Sequence, residues 1–157
     1  MDVLMSVDGV AVSGHVHPRY LLTDFLREKA GAVGVHLACG HGVCGACTVV
    51  VDGVPVRACL MLAVQADGAT VQTVASLPAL EGDKGLDGGL TRLQRAFREH
   101  HALQCGYCTP GLLVSTAMFL AQNPAPERAD VLDHLNGHLC RCSGYANIVT
   151  AIESVLP

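Results

Sequence analysis

The sequence predicts an α+β protein of two domains: a β-rich half over residues 1–76 and a four-helix bundle over 90–157, joined by a linker over 77–89. Three observations predict it. The apolar pattern is strand-like in the first half and changes to the helical period from about residue 90. The stretch between is rich in Pro, Gly and Asp and has no period. The eight cysteines fall four and four, at positions 39, 44, 47 and 59 and at 105, 108, 140 and 142. At 157 residues and 50% apolar, the chain has enough length for two small cores.

Each element has a local reason. Val3, Met5 and Val7 alternate with other residues, and Asp8-Gly9 turns the chain into residues 10–12, which makes a hairpin. Residues 21–30 carry Leu22, Phe25 and Leu26 and stop at Gly31: one short helix. Residues 48–51 and 54–58, joined by Asp52-Gly53, form a second hairpin. Pro55 has no N–H to give, which places its strand at an edge. Residues 70–74 supply a last short strand.

Beyond the linker, residues 90–103 read as the first bundle helix. Thr109 serves as N-cap and Pro110 fits the first turn of the second, which runs to Asn123-Pro124. That helix is apolar on nearly every side, with Leu112, Leu113, Val114, Met118, Phe119 and Leu120, so it is expected to be buried among the others. Pro126 opens a third helix, with Val131, Leu132 and Leu135 on one face and an end near Gly137. Ser143 caps a fourth, whose stripe is Ile148, Ile152 and Val155.

Composition removes several function classes. Ten Lys and Arg against 14 Asp and Glu leave a net charge of −4, which provides no field for holding nucleic acid. Half the residues are apolar, too many for a disordered chain. The longest apolar run, residues 111–121, is too short to span a bilayer. The N-terminus lacks the basic and apolar regions of a secretory signal, so a cytoplasmic location is expected. In that reducing compartment clustered cysteines bind metal or do redox chemistry more often than they form disulfides.

Residues 39–47 read CGHGVCGAC, a C-x4-C-x2-C loop followed by Cys59. This is the plant-type [2Fe–2S] spacing. A two-iron rhomb needs thiolates from several sides, so one loop wraps it, and small residues let the backbone approach the sulfides. The fourth ligand follows from the hairpin: an Asp52-Gly53 turn pairs Val51 with Val54 and sets Cys47 opposite Ala58, next to Cys59. Zinc prefers paired C-x2-C knuckles, and Cys39 and Cys44 are too widely spaced for one. A Rieske centre would use Cys39 and His41 but needs a second Cys/His pair, and Leu62 stands where that His belongs.

In the second half, Cys105-Gly-Tyr-Cys108 lies between helices one and two, and Cys140-Arg-Cys142 between helices three and four. In an up-down-up-down bundle those two turns meet at one end. Four thiolates thus gather by topology, for an iron–sulfur cluster or for zinc.

Together CGHGVCGACTVVVDG, QCGYCTPG and CRCSGYANIVTAI resemble the small iron–sulfur subunit of the xanthine oxidase family of molybdenum hydroxylases, over essentially the whole chain. Aerobic carbon monoxide dehydrogenase and bacterial aldehyde oxidoreductase belong there. The resemblance implies a β-grasp plant-type ferredoxin domain, then a four-helix bundle. It implies one [2Fe–2S] cluster in each, held by Cys39, Cys44, Cys47 and Cys59 and by Cys105, Cys108, Cys140 and Cys142. It further implies electron transfer from a molybdopterin, of the cytosine dinucleotide form, in a large subunit to FAD in a medium subunit or to a cytochrome subunit in its place. The assembly would be a hetero-oligomer such as (αβγ)2, an oxidoreductase whose substrate chemistry lies outside this chain. By the same resemblance Gln104 and Cys142 contact the pterin. Two positions depart from the family pattern: Ala38 where Gly is common, and His41 where acidic residues are frequent.

Among other residues, His41 is a candidate donor to a sulfide or a partner contact, and otherwise an exposed loop residue. His100, His101, His134 and His138 read as helix-surface residues without a metal. Arg141 sits between two ligands, placed to neutralise cluster charge or bind a partner carboxylate, and Tyr107 and Tyr145 flank the second set as shields. No triad, phosphate loop or carboxylate pair supports catalysis by this chain alone. The alternatives to a hydroxylase subunit are a free two-cluster ferredoxin and a zinc-stabilised interaction module. A modest charge with a high apolar content favours burial in an obligate interface.

Overall fold

A computed structural model describes residues 1–82 and 89–157. Five strands, β1 (Asp2–Val7), β2 (Val10–His15), β3 (Thr48–Val51), β4 (Val54–Arg57) and β5 (Thr70–Gln72), form one sheet in the order β2-β1-β5-β3-β4. β1 and β5 run parallel and the other neighbours antiparallel. Both hairpins turn on Asp-Gly with positive φ at both residues (50° and 84° at 8–9, 47° and 82° at 52–53), whose twist matches the flanking strands. Along β1, Val3, Met5 and Val7 face inward, where helix α1 (Leu22–Glu28) covers them with Leu22, Phe25 and Leu26. Pro55 pairs with Val50 from the edge strand β4, as its missing donor requires.

The last strand stops at Gln72, short of the expected residue 74. Thr73 leaves the sheet because its N–H and hydroxyl both donate to the Asp8 carboxylate at 2.7 Å. The expected linker also needs correction at its start. Residues Leu77–Glu81 form a helix, α2, with Pro78 in the first turn, Gly82 as a left-handed cap, and Leu77 fully buried. Five residues are too few to show a period. Residues 83–88 of that linker lie outside the described residues.

Four further helices follow: α3 (Arg92–Glu99), α4 (Thr109–Gln122), α5 (Arg128–Leu135) and α6 (Tyr145–Glu153). A capping box starts α3, where Thr91 and Gln94 each accept the other's backbone N–H. Two expected caps are displaced by the cysteine loops that lead into the helices. Cys108, not Thr109, is the N-cap of α4, and Gly144, not Ser143, that of α6; Ser143 instead takes φ +58°.

The two cores lie on opposite faces of one strand. Val49 and Val51 of β3 join the core under α1, while Val50 joins Leu93, Phe97, Leu112, Val114, Ile148 and Ile152 of the helical domain. Helix α4 therefore packs directly on the sheet beside the first cysteine loop. Among the described residues no helix is long and apolar enough to cross a membrane.

Candidate iron–sulfur sites

The first set converges as the hairpin register requires. Ala58 N–H donates to Cys47 O at 3.2 Å, so Cys59 arrives beside Cys47. At the other side of the loop, Cys44 N–H points at Cys39 Sγ, 3.5 Å away. That donor, with the N–H of His41, lowers the Cys39 pKa to about 6, because each favours the thiolate. Burial raises Cys47 to about 11. Gly45 holds φ +75°, and any Cβ there would lie 2.9 Å from His138 Cε1 and 3.0 Å from Gly137 O.

The second set repeats the arrangement on different backbone. Cys105 is exposed, and the Tyr107 N–H and then the Cys142 thiol lower its pKa. Cys108 is raised to about 11 by burial first and then by the neighbouring Cys140. In both sets the thiols influence one another most strongly in twos: 39 with 44 and 47 with 59, then 105 with 142 and 108 with 140. A two-iron rhomb takes two thiolates on each iron, a pairing these thiols would serve.

The two loops also touch each other. Leu139 N–H donates to Cys44 O at 3.0 Å, Tyr107 O–H to Leu37 O at 2.7 Å, and the His36 ring N–H to Tyr107 O at 2.7 Å. Arg57, two residues before Cys59, donates to Thr48 Oγ1 and to Gly137 O (2.6 Å), so one guanidinium spans both domains. Gly111 brings α4 against the carbonyls of Gly45 and Ala46.

Gln104 and Cys142 lie side by side: the exposed Gln104 amide donates to Cys142 O at 3.4 Å. His41 turns its ring onto the Cys39 carbonyl (2.6 Å) and stays exposed, as does Arg141. Tyr107 is 45% exposed, so its ring shields the second set less than its hydroxyl ties the two loops. His138, expected on a helix surface, is only 6% exposed, and His134 is half-buried and stacked on Phe119. Burial first, and then the Arg57 charge, push the His138 pKa down to about 3, so the ring is neutral. Arg57, His36 and Gly111 were not singled out, since each acts on the other domain and only tertiary contact reveals it.

Comparison with known proteins decides the family. Residues 6–75 match the 2Fe-2S iron-sulfur cluster binding domain, and residues 79–153 match the [2Fe-2S] binding domain. The chain is 46% identical to the caffeine dehydrogenase subunit gamma of a Pseudomonas species, over 99% of this chain and 90% of that protein. It is 45% identical to the nicotine 6-hydroxylase small subunit of Paenarthrobacter nicotinovorans, over 97% and 87%. The chain belongs to the small [2Fe–2S] subunits of molybdenum hydroxylase complexes. Solved structures share the fold of this small subunit. Quinoline 2-oxidoreductase from Pseudomonas putida superposes with a TM-score of 0.85 at 44% identity, covering 97% of this chain and 90% of that one. The aldehyde oxidoreductase of Desulfovibrio desulfuricans gives 0.84 at 40%, covering 96% of this chain but 16% of that one, where the small subunit corresponds to a segment of a longer protein.

Proposed function

We propose that this small subunit carries electrons from a molybdopterin site in a large partner, through the helical-domain cluster and then the sheet-domain cluster, to FAD or a cytochrome in another partner. Cys105, Cys108, Cys140 and Cys142 hold the first cluster on this route, and Cys39, Cys44, Cys47 and Cys59 the second. Each cluster, when bound, supplies one-electron storage. The chain's own residues set where the two sites lie, how much water reaches them and which surface faces a partner. The observation that carries the reading is the Leu139 N–H bond to Cys44 O, 3.0 Å, which joins a residue next to one ligand directly to a ligand of the other set. Two sites joined at backbone distance act as successive steps. The exposed Cys105, Gln104 and partly exposed Cys142 form the outward edge of the helical-domain loop, which suits it to receive electrons from a pterin. Caffeine, nicotine and quinoline, named in the relatives, are all N-heteroaromatic. The same substrate class is proposed for the complex that contains this chain.

The test uses the assembled complex. Iron and acid-labile sulfide are expected at two each per domain. With Cys44→Ala the sheet-domain cluster should be missing. Anaerobic mixing with substrate should still reduce molybdenum and the helical-domain cluster within the first turnover, while reduction of the final acceptor slows severely. Normal acceptor reduction in a complex shown to lack that cluster would refute the order.

A further inference from the structure

The Tyr145 hydroxyl stands on the ligand segment itself. It accepts the N–H of Cys140 at 2.7 Å and donates to the carbonyl of His138 at 3.1 Å. Between these two anchored residues lies Leu139, whose own N–H crosses to Cys44. A ring that only packed would have no use for the hydroxyl, and Phe would fill the same space. Here both hydrogen-bonding capacities of the oxygen are spent on backbone groups flanking one residue.

The bond to Cys140 has a chemical consequence. A backbone N–H beside a ligand ordinarily has cluster sulfur within reach, as Cys44 N–H has Cys39 Sγ in the first set. N–H donors aimed at sulfur favour the reduced, more negative cluster and raise its reduction potential. In the second set the Cys140 N–H is committed to the phenol oxygen instead.

We propose that Tyr145 is a positioning residue for the helical-domain site: its hydroxyl withholds the Cys140 N–H from sulfur, so keeping that cluster's potential low, and holds Leu139 against Cys44. The proposal rests on the two-cluster reading. Its test is a redox titration, followed by EPR, of the assembled complex carrying Tyr145→Phe. The two reduced clusters give separate S = 1/2 signals, and Cys59→Ala identifies the sheet-domain one by its loss. With Phe the freed N–H is left without its acceptor, an unfavourable state that turning to sulfur relieves. The midpoint of the helical-domain signal should therefore shift upward, with the sheet-domain midpoint unmoved as internal control. Site-specific fluorotyrosine at 145 keeps the ring and the hydroxyl but weakens the oxygen as acceptor. It should give a smaller upward shift, and it provides the readout if the Phe variant fails to retain its cluster. An unchanged or lowered helical-domain midpoint in the variants that retain the cluster overturns the proposal. A wild-type complex with only one such signal overturns the two-cluster reading, and the proposal with it.

Discussion

Replacing Gly111 by Ala should destabilise this subunit, although Ala is the better helix former. Gly111 is the third residue of α4, and its backbone is ordinary helix, so no left-handed strain enters the sum. On propensity alone the change stabilises by up to about 1 kcal/mol. Against that, the new methyl would lie 2.6 Å from Ala46 O and 2.8 Å from Ala46 C, and closer still to Gly45 O. Carbon and carbonyl oxygen approach to about 3.3 Å at best, so helix and loop must part by roughly 1 Å to clear Gly45 O. Both sides of the clash are backbone, and the loop is tied by Leu139 N–H to Cys44 O and by Thr48 N–H to Gly45 O, so no side-chain rotation relieves it. Overpacking of this kind costs about 1–3 kcal/mol, and the rigidity here favours the upper end. The net loss is about 2 kcal/mol, or a fall in melting temperature of about 4–8 °C for a chain of this size. Circular dichroism on the cluster-loaded protein measures it, and the sheet-domain EPR signal should broaden first because its loop takes the displacement. A variant as stable as wild type, with both signals unchanged, would refute the steric reasoning.

Arg57→Met should cost about 1–2 kcal/mol in urea unfolding. It removes charged donors to Thr48 and Gly137, discounted here for the partial exposure of the side chain; an unmoved midpoint would show that the interdomain bridge contributes nothing. Gln104→Ala should leave both clusters intact while weakening pterin retention or slowing electron exit from molybdenum, and normal turnover with full molybdenum content would count against that role. Tyr20 donates to the Glu28 carboxylate, which raises its pKa from 10.0 to about 12. The folded state keeps this proton longer than the unfolded chain, so its stabilising effect is complete below pH 10 and is lost as the pH rises toward 12. Tyr20→Phe should flatten that alkaline decline, and an absorbance titration should show one of the three tyrosines ionising late.

Much of this architecture is local and therefore legible from one dimension. The Asp-Gly turns set the hairpin registers, and the register alone carries Cys59 to Cys47, because antiparallel pairing is determined by the turn that closes it. Pro55 marks the sheet edge through a missing donor, and the stripes at Leu22, Phe25 and Leu26 and at Ile148 and Ile152 mark the buried helix faces. The first cysteine spacing points to a two-iron rhomb, whose thiolates must come from a loop of a particular reach, whereas the second spacing alone leaves zinc open.

What remained hidden is everything that one domain does to the other. Val50 sits in an unbroken valine run whose neighbours face the opposite core; its partners in the helical domain lie dozens of residues away in sequence. His138 reads as a surface residue because its burial comes from the first cysteine loop; it lies past the end of α5. The caps expected at Thr109 and Ser143 differ for a related reason: the N-caps are Cys108 and Gly144, at the ends of the cysteine loops that lead into α4 and α6. The sequence by itself determined the two-domain order, most of the longer elements and the hairpin registers, since turn and period act over a few residues. Only the tertiary structure decided that the two thiol loops meet, through Leu139 on Cys44 and Arg57 on Gly137, because those contacts join segments 80 and more residues apart and no local propensity encodes them.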